Sequence, residues 1–348
     1  MLSIISFIIV IAICVISHEG GHFVTARLRN VFVHEFSFGM GPLIWKHQKG
    51  ETQYSLRAFP VGGFVKLEGE DAEDEEDTER VPVDPARSLE NKKPWEKLLI
   101  ISAGALVNIF LAWLLTALFL VGRGVYDMER PKVGAVMPNT PAAECGLRSG
   151  DLIKSIDGVS LKDWADIRKK INAENKKGDL YVIETERDGT ILKFTVKIPV
   201  NEESKSRLLG VQPARVTYPL HTALGRSLKF SWNMSVEILR SMYRMLSGQM
   251  KADVTGPVGI AVMAGDAVRD GFWTFISFLG MINLNLGLLN LLPFPALDGG
   301  RILFIAVEMV TRKKVPQKIE SSVHYFGLIV LLGLIALITG YDIIRFLR

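Results

Sequence analysis

Three ionisable side chains close to the N-terminus define the first chemistry: His18-Glu19-Gly20-Gly21-His22. Residues four apart share one face of a helix, so His18 and His22 can reach a single ion together. Neutral imidazole suits zinc, and Glu19 stands beside that face, where it can act on a water at the ion. A catalytic zinc needs a third protein ligand and a position left for water. The pattern follows residues 2–17, which contain no Asp, Glu, Lys or Arg. Ionisable groups on so apolar a segment are costly and mark function. The plain alternative is that they mark only the interfacial end of a membrane span.

A second constellation lies far along the chain: Asn285-Leu-Gly-Leu-Leu-Asn290-Leu-Leu-Pro293-Phe-Pro295-Ala-Leu-Asp298-Gly-Gly300. Asp298 is the one acid between Asp270 and Glu308. Pro293, Pro295, Gly299 and Gly300 cannot all occupy one regular helix. They break an apolar run, which is tolerated at membrane depth only where the backbone lines an enclosed cavity. His18 lies about 24 Å along the first span at about 1.5 Å per residue, and Asp298 lies about 26 residues past the external end of the third, so, allowing for the break, both reach the same half of the bilayer. His18, His22 and Asp298 then form a candidate metal set. A cap or turn role for Asp298 is the alternative, since Asp-Gly is a common turn.

The elements that must carry these residues are apolar. Charge-free runs cover 2–17, 98–122, 272–297 and 321–341, each near the length of about 20 residues that spans a bilayer. The expected class is a multi-pass α-helical membrane protein with four transmembrane helices, at 1–24, 98–122, 272–300 and 323–348. The composition excludes a disordered chain and a disulfide scaffold. The net charge of +4 is small and scattered, which excludes a nucleic-acid partner. The N-terminal run lacks a basic lead and a small-residue cleavage pattern, so it reads as a retained span and not as a signal peptide.

Short basic loops stay cytoplasmic. The connector within 301–322 holds Arg312, Lys313, Lys314 and Lys318, and the 25–97 loop is flanked by Arg27, Arg29, Lys92, Lys93 and Lys97. These two segments are expected inside, with 123–271 and both termini outside. Within 25–97, residues 51–67 alternate polar and apolar around Pro60-Val61-Gly62-Gly63, which reads as a β-hairpin. Residues 68–79 hold nine acids in twelve and read as a solvated linker, with an acidic docking tail as the alternative.

Residues 123–215 read as a small external α+β module. Strands are expected at 133–137, 151–156, 180–187 and 191–198, the last two joined by Asp188-Gly189. Gly146-Leu-Arg-Ser-Gly-Asp-Leu-Ile-Lys-Ser-Ile-Asp-Gly158 resembles a PDZ domain of the bacterial protease type. In such domains a short apolar-Gly loop takes a peptide C-terminus, and Leu208-Leu209-Gly210-Val211 resembles that loop. A strand with a Gly bulge is the alternative. Within 216–271, Leu220, Leu224, Leu228 and Trp232 fall at helical spacing opposite Arg226 and Lys229. That pattern fits a helix lying on lipid, or one packed on the module.

The two motifs together resemble the site-2 protease family of intramembrane metalloproteases, and the module between spans two and three narrows the likeness to its bacterial RseP/RasP type. The resemblance implies one zinc per chain on His18, His22 and Asp298, with Glu19 as general base. It implies that the 51–67 hairpin dips toward the site and meets substrate, through Tyr54, Phe59, Gly62 and Gly63. Asn285 and Asn290 match family asparagines near the substrate backbone, with helix-packing hydrogen bonds as the alternative. Asn108, in Ser102-Ala-Gly-Ala-Leu-Val-Asn108, lies near the family's active-site core or serves helix packing; Ala105 there departs from the usual Gly-Pro. The implied activity is cleavage of transmembrane segments of single-pass proteins, such as anti-sigma factors or remnant signal peptides, with an upstream site-1-type protease as partner. The implied location is a bacterial cytoplasmic membrane. A membrane-anchored PDZ adaptor with a vestigial metal site is the rival. A metal transporter would carry paired repeats of broken helices, which the sequence lacks.

Overall fold

The computed structural model describes residues 1–70, 83–172, 178–201, 206–250 and 255–347. The acidic stretch read over 68–79 lies outside the described residues from 71 onward. The chain divides into two compact units, one of residues 1–119 and 221–348, the other of 120–220.

The first unit opens with helix α1 (Leu2–Leu28), which runs four residues past the expected end at 24. His18 and His22 therefore sit inside a continuous helix. Strands β1 (Val33–Lys49) and β2 (Thr52–Leu67) follow, turning at Gly50-Glu51, where Gly50 has φ +64°. This corrects the hairpin expected within 51–67. Residues 52–67 are one long strand whose partner is 33–49, a segment whose aromatic and Gly-rich sequence hid its strand character.

Both strands bend. Gly39, Gly41 and Gly62 take φ of +86°, +84° and +80°, where a β-carbon would be strained. The bends let Val33–Phe38 pair on one side with 63–67 (Val33↔Leu67, Phe36↔Val65, Phe38↔Gly63) and on the other with 53–56 (Phe36↔Tyr54, Ser37↔Ser55). Residues 43–49 pair with 52–57 beyond that. The Pro60–Gly63 signal is thus a crossing point rather than a hairpin turn, and it leaves 63–67 as an outer edge.

Helix α2 (Pro94–Gly122) is the second apolar span. A core of Ala26, Val33, Val65, Leu67, Ile100 and Ile305 joins the base of the β1–β2 sheet to the helices.

The second unit contains β3 (Val125–Tyr126), β4 (Val133–Val136), α3 (Pro141–Glu144), β5 (Leu152–Ile156), β6 (Val159–Ser160), α4 (Trp164–Ile171), β7 (Leu180–Arg187), β8 (Thr190–Lys197), β9 (Val200–Asn201), β10 (Ser206–Arg207), β11 (Val211–Pro213) and β12 (Arg215–Val216). A four-stranded sheet has the order β6-β5-β7-β8, and β11 pairs with β4. Asp188 and Gly189 both have positive φ, as a two-residue hairpin turn requires. Ile153, Ile156, Ile167, Tyr181, Ile183 and Leu209 fill the core.

Back in the first unit, α5 (Leu220–Leu246) is amphipathic, but it buries its small residues, Ala223, Ser227 and Ser231. Its large apolar groups stay exposed, Leu228 at 63% and Trp232 at 70%. The helices α6 (Pro257–Arg269), α7 (Phe272–Asn290), α8 (Asp298–Thr311) and α9 (Gln317–Leu347) complete the chain. The third span, expected over 272–300, is helical only to Asn290, and Asp298 opens a new helix. Pro293 and Pro295 supply no N–H and clash with a continuing helix, which forces the break. The fourth helix begins at Gln317, six residues before the expected 323. The helices α1, α2, α7 and α9 are long and apolar enough to cross a membrane.

Candidate metal centre

His18 and His22 lie one turn apart on α1, and Asp298 is the first residue of α8. A carboxylate at a helix N-terminus meets the positive end of the helix dipole. The Nε2 atoms of the two histidines are 3.3 Å apart. Asp298 Oδ2 is 3.3 Å from Nε2 of His18 and 3.4 Å from Nε2 of His22. A tetrahedral ion with bonds of about 2.0–2.2 Å holds its ligand atoms about 3.3–3.6 Å apart, so the triangle has the size zinc requires.

The donor set makes the same demand. His22 Nδ1 lies 2.9 Å from the carbonyl oxygen of Ile100. Only a protonated nitrogen can donate there, so the neutral ring presents a lone pair at Nε2. That lone pair faces Asp298 Oδ2, a buried oxygen that makes no hydrogen bond. Converging lone pairs in a buried place repel one another unless a cation sits between them.

Helix α2 shapes this cradle with small residues. A methyl group on Gly104 would overlap the His22 ring, and one on Gly21 would lie 2.5 Å from the Ala103 carbonyl oxygen. Two bare backbones thus bring the Ile100 carbonyl to His22, while the Gly104 backbone reaches His18. Deeper in the bundle, Ser17 Oγ lies 2.6 Å from Asn108 Oδ1 and 3.0 Å from the Cys14 carbonyl, two acceptors for its single O–H. Asn283 Nδ2 donates to the Leu279 carbonyl at 2.8 Å, with its Oδ1 3.4 Å from Ser17 Oγ. These polar groups link α1, α2 and α7 where lipid offers no hydrogen bonds.

Glu19, His18, His22 and Asp298 line one cavity of about 750 Å³. Gly63, Phe64 and Val65 from the edge of the sheet line it too, as do His324 and Tyr325 from α9. The Val65 backbone lies within hydrogen-bonding reach of the Glu19 carboxylate. A β-carbon on Gly63 would approach Glu19 Cγ to 3.3 Å and Val15 Cγ1 to 2.8 Å, so the strand passes directly over the motif.

Of the four residues expected to meet substrate on the hairpin, only Gly63 lines this cavity. Tyr54 packs instead against Phe23 and Phe36, with ring centroids 6.0 and 6.1 Å away. Phe59 is 61% exposed at the crossing point, and Gly62 abuts Met40. Asn290 Nδ2 is 3.5 Å from both His18 ring nitrogens, the outer limit of a hydrogen bond. Asn285 is half-buried on α7 outside the cavity lining. In the second unit, Leu208 is exposed and Leu209 belongs to the core. Gly210 (φ +87°) fits closely against Thr140, and Val211 pairs with Val136. The sequence reading missed Gly104, Asn283 and His324. The small-residue run 103–105 was a signal for Gly104; a lone His in an apolar helix was a signal for His324.

Comparison with known proteins identifies the family. Peptidase family M50 matches residues 6–334. A Clostridium perfringens protein, named provisionally as a zinc metalloprotease, is 35% identical over 336 residues, covering 95% of each chain. Regulator of sigma-W protease RasP of Bacillus subtilis is 28% identical over 418 aligned positions, covering 99% of this chain and 98% of its own. Zinc metalloprotease RasP of Geobacillus kaustophilus is 29% identical over 421, with the same coverage. A PDZ domain of an SdrC-like protein from Listeria monocytogenes is 27% identical over 25% of this chain and 84% of its own, with a TM-score of 0.21. By the family match and these relatives, the chain belongs to peptidase family M50, the site-2 proteases, and is an intramembrane zinc metalloprotease.

Proposed function

We propose that the enzyme hydrolyses a peptide bond within the transmembrane segment of single-pass proteins, at one zinc held by His18, His22 and Asp298. The observation that carries this reading is the 3.3–3.4 Å triangle of converging acceptor atoms, with His22 oriented from behind by the Ile100 carbonyl. When bound, zinc supplies Lewis acidity, polarising a carbonyl and making water a nucleophile near neutral pH. Glu19, in the same cavity, takes the water's proton and returns it to the leaving amine.

A substrate helix hides its amides in internal hydrogen bonds, so it must unwind to be cut. The outer edge formed by 63–67 is the place to hold it extended, by adding a strand beside Glu19. Asn290, at the limit of contact with His18, is placed to take a substrate carbonyl. Substrates of the anti-sigma type accord with the name of the Bacillus subtilis relative; remnant signal peptides are the other class. In the reading we favour, the residue 120–220 unit is a single external PDZ-type domain that excludes proteins not yet trimmed by a site-1-type protease. The basic flanks Arg27, Arg29, Lys92, Lys93 and Lys97 support a cytoplasmic site and external termini in a bacterial inner membrane.

The test separates metal from base. Asp298→Ala, His18→Ala and His22→Ala purify without zinc and without activity, because two ligands bind weakly. Glu19→Gln keeps stoichiometric zinc and loses turnover of a transmembrane test substrate. Zinc retained in Asp298→Ala refutes the ligand set, and near-normal cleavage by Glu19→Gln refutes the base.

A further inference from the structure

Asp298 is presented by an irregular segment that needs support of its own. Leu297 donates its N–H to the Phe294 carbonyl, and Gly300 donates to Leu297. Pro295 has no N–H. Between them stands Ala296, with φ +73°, a left-handed conformation uncommon for a residue with a β-carbon. Its N–H finds no acceptor in the segment. It donates instead to Nδ1 of His324, 3.0 Å away and 28 residues on, in α9.

The packing around this bond is close. A β-carbon on Gly327, three residues beyond His324, would lie 2.7 Å from the backbone of Pro295. One on Gly300 would lie 3.2 Å from Cε1 of His324. The face of α9 carrying His324 and Gly327 therefore clasps the segment leading to Asp298. His324 lines the cavity but stands outside the group of ligand atoms formed by His18, His22 and Asp298. Its Nδ1 is committed to an amide, which requires the lone pair there and places the ring proton on Nε2.

We infer that His324 is a positioning residue: by accepting the Ala296 N–H, it fixes the backbone that aims Asp298 at the metal position. A strained φ persists only where its surroundings over-determine it, and here the single side-chain acceptor comes from a different span. The inference rests on Asp298 as a zinc ligand, so its test carries a control for that assignment.

The experiment uses the full-length, zinc-loaded enzyme in detergent micelles and compares His324→Ala, His324→Asn and His324→Gln. Asn places a carbonyl oxygen about where Nδ1 stands, whereas Gln reaches toward the position of Nε2. The readouts are zinc release to a chromophoric chelator, thermal unfolding, and kcat and KM on a transmembrane test substrate. Ala and Gln are expected to release zinc about 10–100-fold faster and to lose kcat by a similar factor with KM unchanged, while Asn stays within about threefold of wild type. Wild-type zinc release in His324→Ala overturns the inference. If Ala fails to fold, the Asn–Gln pair decides, and equal behaviour of the two overturns it. Asp298→Ala is the control. Zinc retained there sinks the ligand assignment itself, whereas a zinc-free control beside an undisturbed His324→Ala sinks only the role of His324.

Discussion

Gly20 and Gly21 are neighbours inside one motif, yet they face opposite circumstances. At Gly20 an added methyl group meets nothing within 4 Å. At Gly21 it would stand 2.5 Å from the Ala103 carbonyl oxygen, 2.8 Å from its carbon and 2.9 Å from Gly104 Cα. Ordinary contacts run about 3.5–4.0 Å, so Gly21→Ala must part α1 from α2 by about 1 Å or more. The hydrogen bond from His22 Nδ1 to Ile100, now 2.9 Å, would open to about 3.9 Å or more and cease to be one. Overpacking costs about 1–3 kcal/mol, and the lost bond adds about 0.5–1.5 kcal/mol. A shift of about 1 Å in a catalytic group lowers turnover about 100-fold.

Gly20→Ala should instead leave activity intact and, by helix propensity, stabilise α1 by up to about 1 kcal/mol. The assay is cleavage of a transmembrane test substrate at matched zinc content, with thermal unfolding alongside. Gly21→Ala cutting at the wild-type rate, or Gly20→Ala losing as much as its neighbour, would refute the close-approach argument.

Two further outcomes concern the residue 120–220 unit. Asp151 is fully buried: burial pushes its carboxyl up, but Arg187, at 2.6 and 2.8 Å, and the Arg148 amide outweigh that and hold it below the ordinary carboxylate range. A depressed folded value stabilises above about pH 4 and loses its contribution as pH falls through it. Protection of β5 in hydrogen exchange should therefore fall below pH 4. Arg187→Ala should flatten that dependence and lower the unit's thermal stability at neutral pH, because it leaves the Asp151 carboxylate without its partner; an unchanged acid profile would exclude the pair as its source. Leu208→Asp tests peptide capture at an exposed position, which Gly210 is not, because any β-carbon there strikes Thr140. If the unit acts by size alone, Leu208→Asp still cuts trimmed substrates, and deletion of 130–213 releases cleavage of untrimmed ones; a deletion that leaves untrimmed substrates uncut while trimmed ones are processed ends the size reading.

The convergence of His18, His22 and Asp298 was legible because its signal is local in one case and isolated in the other. His18 and His22 share a helix face by spacing alone, and Asp298 stands as a single acid in a long apolar stretch. The break after Asn290 was legible from Pro293 and Pro295, since proline acts through covalent geometry. The β1–β2 sheet was not legible in the same way. Alternation in 51–67 marked a strand correctly, but pairing depends on the bends at Gly39 and Gly62, and a bend does not announce which partner lies across it. Tyr54 and Phe59 stand outside the cavity lining for that reason. His324 was hidden because its partner is a backbone amide, and no side-chain pattern records a backbone acceptor or donor 28 residues away.

The residues that pack the bundle and those that shape its site are largely the same. In lipid there is little hydrophobic gain from bringing helices together, so close association relies on small residues and polar ties. Gly21 against Ala103 and Gly287 against the Ala105 carbonyl draw α1 and α7 onto α2. That closeness is also what puts the Ile100 carbonyl behind His22, because a side chain at Gly104 would occupy the ring's place. The irregular run 291–297 obeys the same logic. Its amides cannot face lipid unpaired, so they are taken up by the carbonyls of Leu288, Leu289, Leu292 and Phe294 and by His324, and Asp298 follows directly on this run. A substitution that loosens helix packing at these positions therefore loosens the metal centre with it, whereas one on the open side of α1, as at Gly20, does neither.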